Sequence, residues 1–214
     1  MNELSLLMTL ATVHLVALAS PGPDFALVVQ NASRHGRRIG LAIALGISLA
    51  ILLHSVFALT GVSLLIQQHP HLPALFRLAG GGYLLYLGID ALRSVYASWN
   101  ADRRGQPAKS VEELTSVRAA MTKGFTTNLL NPKALVFFLS LLTSLVPISM
   151  SLSGKLVAIA ILWGLSFAWF ALLAWLLTGA RMQQRVRKAA PAIDGVCGVL
   201  FVVIGSGIVL ATFA

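Results

Sequence analysis

Asp24 is the first residue that calls for a reason. It follows Pro21-Gly22-Pro23 in the stretch ASPGPDFA, with apolar sequence from Leu4 to Ala19 before it and from Phe25 to Val29 after it. Proline lacks an N–H and clashes with the preceding turn, so Pro21 and Pro23 free backbone carbonyls inside a segment that is otherwise helical. Proline at a first helical position also starts a new helix. Phe25 onward therefore reads as a half-helix whose N-terminal amides point into the gap. A second break, Asn131-Pro132-Lys133, repeats the device with a side chain suited to N-capping. Two helix N-termini with partial positive charge make a seat for a carboxylate, and Asp24 supplies the charge that an ammonium group needs. The chemistry these types suggest is recognition of both charges of a zwitterion. The plainer reading is a pair of proline kinks, with Asp24 only favouring a helix start. An ionisable group deep in an apolar span costs on the order of 2.5–3.5 kcal/mol, however, and two at matching breaks favour function. Lys133 has its own alternative, snorkelling to the cytoplasmic face.

The elements that must hold these residues are membrane spans. Of the 214 residues 57% are hydrophobic and 11% charged, against roughly 25% charged in a soluble domain. A bilayer core about 30 Å thick takes roughly 20 apolar residues per helix. Runs near 4–33, 39–66, 72–97, 119–149, 154–180 and 191–213 predict an all-α integral membrane protein with six transmembrane helices and no soluble domain. The net charge of +9 is sorted by connection, which argues for topology and against nucleic acid. Arg34, Arg37 and Arg38 follow the first span. Arg93, Arg103, Arg104, Lys109, Arg118 and Lys123 surround the third connection, and Arg181, Arg185, Arg187 and Lys188 form the fifth. Thirteen of the sixteen basic residues thus fall in alternate connections. The positive-inside rule makes these cytoplasmic and turns both termini outward, to the periplasm. Residues 1–20 do not read as a signal peptide, because no basic stretch precedes the apolar run and Pro21 would follow the cut. The single Cys197 excludes a disulfide framework and reads as a small buried residue.

A polar segment, residues 98–118, divides the chain into 1–97 and 119–214. It reads as a cytoplasmic linker between two three-helix repeats. An odd number of spans per half forces opposite orientations, so the repeats are expected to be inverted, each opening with a broken helix, as in many secondary transporters. The third spans also correspond. Gly81 and Gly88 are seven apart, as are Gly198 and Gly205, and each pair marks one helix face suited to close packing in a membrane.

Further candidates carry weaker signals. His14 and His54 lie inside apolar spans and titrate near neutrality, so either could carry a coupling proton, although a hydrogen-bonded packing role is the commoner one. Asp194, just inside the last span, reads as an N-terminal helix charge with proton coupling as its alternative. Asp90 is expected to pair locally with Arg93. Trp163, Trp169 and Trp175 are six apart and spread over different faces, as packing or interface residues. No set of residues reads as a metal site, which disfavours metal-cation efflux. No metalloprotease or serine-hydrolase motif supports an intramembrane enzyme.

The motifs SPGPDF, TNLLNPKALVFF, GGGYLLYLGIDALR and IDGVCGVLFVVIG, which together cover essentially the whole chain, resemble those of the lysine exporter and homoserine/threonine exporter family of bacterial inner-membrane proteins, the threonine exporter branch in particular. The resemblance implies efflux of a small amino acid across the plasma membrane, by exchange for protons and with no prosthetic group or other cofactor. It assigns the family's role to Pro21, Gly22, Pro23 and Asp24, and to Asn128, Asn131 and Pro132. Asp24 and Lys133 would then meet the substrate's charges. The amino acid preferred and the oligomeric state, a homo-oligomer included, stay open.

Overall fold

The computed structural model describes residues 3–20, 22–68, 72–100, 116–147, 149–177 and 179–213. Eight helices account for nearly all of them: α1 (Glu3–Ala19), α2 (Pro23–His35), α3 (Arg37–Gln68), α4 (Leu72–Asn100), α5 (Val117–Leu129), α6 (Pro132–Leu145), α7 (Leu152–Leu176) and α8 (Ala180–Phe213). Pro21 and the central part of the expected linker, 101–115, lie outside the described residues.

The outside of the molecule is apolar, and several polar side chains are buried within its apolar core. His14, Asn31, His54, Ser55, Asn128 and Ser166 are buried, while Phe57, Leu156, Val203 and Phe213 are each more than half exposed. A surface this apolar belongs in lipid. Among the described residues α3, α7 and α8 are each long and apolar enough to cross a membrane. The pairs α1–α2 and α5–α6 bend by 57° and 61° at their breaks, and counting each pair as one span raises the number to five. α4, with 29 residues, has the length for a span but is not counted among these.

Glycine sets how closely the helices approach. α4 packs along α8, with Gly81 against Gly205 and Gly88 against Gly198. A Cβ on Gly88 would stand 2.6 Å from the Gly198 carbonyl oxygen, and one on Gly205 2.7 Å from that of Gly81. The two seven-residue glycine pairs therefore face each other, in the opposite order along the two chains. A second seam joins α3 to α5, where a Cβ on Gly46 would strike the Met121 carbonyl and one on Gly124 the Ile43 carbonyl. Glu3 binds the start of α7. Its carboxylate accepts from the Ser151 N–H at 2.9 Å and from the Ser151 hydroxyl at 3.0 Å. Gly36, at φ 83°, turns the chain from α2 into α3, a conformation glycine adopts without strain.

Three local expectations need correcting. The last apolar run is a span as expected, Pro191–Phe213, but the helix that holds it begins at Ala180 and carries Pro191 in its interior; the fifth basic connection is thus mostly helix. At 34 residues α8 is roughly 51 Å long, so its basic first part extends beyond an apolar core about 30 Å thick. Asp194 in consequence lies well inside α8 and is not a charge in its first turn. Asp90 and Arg93 are both exposed, and no ion pair within 4.0 Å joins them.

Candidate functional site

The two breaks meet around one cavity of about 100 Å³. Its polar side chains are His14 and Ser20 from the first half-helix, Asp24 from the start of α2, Asn128 from the end of α5, and Asn131 and Lys133 from the start of α6. Gly22 and Pro23 line it as well. Its apolar wall comes from Phe25, Phe137, Phe138, Phe170 and Phe201, with Ile51 and Leu87.

The two half-helices begin differently. α6 is capped by Asn131, whose Oδ1 accepts from the Lys133 N–H at 3.0 Å. α2 follows Gly22, which offers no side-chain cap. The first amides of a helix have no carbonyl partner within it, so the Asp24 and Phe25 N–H groups keep their hydrogen-bonding capacity at the cavity edge. Asp24 sits in that first turn, where a negative charge meets the positive end of the helix dipole. Its Oδ2 accepts from Asn128 Nδ2 at 2.8 Å. Asp24 Oδ1 and Asn128 Oδ1 are buried and without partners.

Lys133 lies on the same cavity but not against Asp24, since no ion pair within 4.0 Å joins them. Asp194 does not line the cavity, yet its Oδ1 accepts from Ser20 at 3.4 Å, and Ser20 does line it. His14 is buried in the aromatic wall, 5.6 Å from Phe138 between ring centres, and its Nε2 contacts Ser166 Oγ at 2.8 Å. His54 stands behind the wall, stacked on Phe138 at 5.9 Å, with Nε2 3.4 Å from the Asn128 carbonyl. Of the residues singled out in sequence, Gly22, Pro23, Asp24, Asn128, Asn131, Lys133 and His14 thus share the cavity, while Asp194 and His54 lie one layer away. Pro132 opens α6. Among the described residues no group of three His, Cys, Asp or Glu side chains could hold a metal ion.

Ser20, Ser166, Phe170 and Phe201 carry no sequence signal. Their roles come from contacts across more than half the chain, such as His14 with Ser166, 152 positions apart.

Comparison with known proteins gives the chain relatives over nearly its full length. It is 33% identical over 208 residues to the threonine efflux protein of Escherichia coli K12, covering 97% of this chain and 99% of that one. It is 33% identical over 215 residues to the threonine efflux protein of Salmonella typhi, with the same coverage. To the leucine efflux protein of Enterobacter sp. strain 638 it is 29% identical over 189 residues, 85% of this chain and 84% of that one. No solved structure matches it. Residues 15–212, which include both breaks and every residue lining the cavity except His14, match the LysE type translocator family, and the chain belongs to it.

Proposed function

We propose that the protein exports a small amino acid, threonine- or homoserine-like, across the bacterial inner membrane in exchange for protons. The observation that carries this reading is the Asp24–Asn128 pair, which leaves two buried oxygens unpartnered at a cavity between two helix starts. An unsatisfied buried acceptor costs about 1–3 kcal/mol, and an ammonium group satisfies both at once. The substrate carboxylate goes to the uncapped amides of α2 and to Lys133. The cavity is small, about 100 Å³, which favours a small side chain. The names of the relatives, threonine efflux protein and leucine efflux protein, support amino-acid export as the task.

In this reading the chain has six spans in two inverted repeats, 1–97 and 119–214, joined by a cytoplasmic linker at 98–118, with both termini in the periplasm. The similar bends of 57° and 61° and the antiparallel glycine seam between α4 and α8 support the repeat. Rocking of one repeat against the other gives alternating access around a fixed site. Exchange follows from competition: Asp24 holds either the substrate ammonium or a proton, so release of one outside permits uptake of the other. Asp194, linked to the cavity through Ser20, offers a second carboxylate for the same purpose. Metal-cation efflux lacks a ligand set among the described residues, and transport rather than catalysis accounts for the site.

The test is counterflow in proteoliposomes against a panel of labelled amino acids, with and without a pH gradient. Exchange of small hydroxyl amino acids, accelerated by an opposing proton gradient, is expected. Exchange of none of the panel would remove the reading.

A further inference from the structure

Among the cavity-lining residues, the buried acceptors without partners fall into two sets. One is the Asp24–Asn128 pair at the break. The other is His14 Nδ1, which is buried and has no hydrogen-bond partner. His14 is also the cavity-lining residue whose ring packs against Phe137 and Phe138.

Its neighbours fix its tautomer. The Ser166 hydroxyl donates to the Leu162 carbonyl at 2.6 Å, so its single proton is committed. The 2.8 Å contact between Ser166 Oγ and His14 Nε2 then needs its proton from the ring. The Leu162 carbonyl, 3.2 Å from the same nitrogen, can likewise only accept. Nε2 therefore carries the hydrogen, and Nδ1 of the neutral ring presents a lone pair. Phe137 and Phe138 flank the ring at 6.5 and 5.6 Å, and neither offers Nδ1 a hydrogen bond. Tying α1 to α7 accounts for Nε2 but leaves Nδ1 unexplained, at the usual cost of an unsatisfied buried acceptor.

We infer that His14 is a specificity-determining residue, whose Nδ1 accepts a hydrogen bond from the side-chain hydroxyl of the transported amino acid. This rests on the reading of the cavity as an amino-acid site. An ammonium needs several acceptors and a negative charge, both of which the Asp24–Asn128 pair supplies. A lone neutral acceptor within an aromatic wall suits a single neutral donor. With the ammonium at Asp24 and Asn128, the substrate side chain turns toward that wall and meets His14 as its polar contact.

Threonine and valine are the discriminating pair, because they differ only by hydroxyl in place of methyl. A purely apolar pocket favours valine over threonine by about a hundredfold, whereas a site built to bond a hydroxyl rejects the analogue that lacks it more strongly still. The sign of the preference therefore decides. Counterflow in proteoliposomes needs no net proton flux, so it reads recognition apart from coupling. The wild-type protein is expected to exchange threonine with at least tenfold higher apparent affinity than valine. His14→Phe, which keeps an aromatic ring in the wall, is expected to erase or invert that ratio. His14→Asn, which restores an acceptor close to the Nδ1 position, is expected to keep threonine ahead. A wild-type protein that exchanges both equally or prefers valine overturns the inference without any variant, and so does a His14→Phe protein that retains the threonine preference. Exchange of neither, nor of any other amino acid, refutes instead the amino-acid reading on which it rests.

Discussion

Asn128 Nδ2 donates to Asp24 Oδ2 at 2.8 Å, joining residues 104 positions apart. The bond runs between the two breaks, from the last turn of α5 to the first turn of α2. It orients the Asp24 carboxylate so that one oxygen is held by the protein and the other is buried without a partner. It also couples the two half-helices, so a change of charge on Asp24 is felt by the second half of the chain.

The pair yields a first prediction. Asp24→Asn should leave the protein inserted and abundant while abolishing export, because shape and hydrogen bonding persist but charge is lost. Asn128→Leu should lower stability in detergent by about 1.5–3 kcal/mol, the usual worth of a hydrogen bond to a charged group. The exchange of Asp24→Asn with Asn128→Asp rebuilds the pair in reverse. Thermal melts should then recover while export stays low; full export by the exchanged protein would show that the position of the charge is immaterial.

The helix seam gives a second. Gly88→Ala places a methyl 2.6 Å from the Gly198 carbonyl oxygen, whereas Gly82 on the same helix has nothing within 4 Å of its Cβ position. Overpacking of this kind costs about 1–3 kcal/mol. Gly88→Ala should lower the melting temperature and the yield of folded protein, and Gly82→Ala should leave both unchanged. Equal effects of the two substitutions would mean that α4 and α8 do not meet along this seam.

A third prediction concerns orientation. Reporters fused at Met1 or Ala214 should face the periplasm, and one inserted at Gly105 the cytoplasm, as the loop charges require. A cytoplasmic C-terminus would refute six spans and the inverted relation with them.

The large features of this molecule are written locally, and its site is not. Apolar runs announce the helices because a bilayer demands length and little else. Both breaks are visible because proline acts on its own backbone, and Asn131 caps α6 as its type suggests. The last span, Pro191–Phe213, is legible in hydropathy, but the basic connection before it is helical without being apolar, so hydropathy alone starts α8 too late. Asn128 was indicated only through resemblance; its partner Asp24 is set by tertiary packing. Ser166 and the phenylalanines of the wall are invisible for the same reason: nothing near them in sequence records what they face.

The last prediction separates two partners for Lys133. Its place in the first turn of α6, matching that of Asp24 in α2, suggests that the two charges pair across the repeat. They do not meet within 4.0 Å, and Asp194 is another carboxylate beside the cavity. Asp194 is also held by Ser20 at 3.4 Å, which keeps a carboxylate near the cavity edge without placing it inside. Charges in a membrane protein are costly alone, so removing one member of a true pair strands the other, and removing both restores part of the loss. Lys133→Met and Asp194→Asn should therefore each reduce thermal stability, and the double variant should be more stable than the sum of the two losses requires. The coupling should be about 0.5–1 kcal/mol, at the low end for interacting residues, because the separation exceeds that of a direct ion pair. The parallel cycle of Lys133→Met with Asp24→Asn should be additive. Coupling in the second cycle and additivity in the first would reverse the assignment and give Lys133 to Asp24.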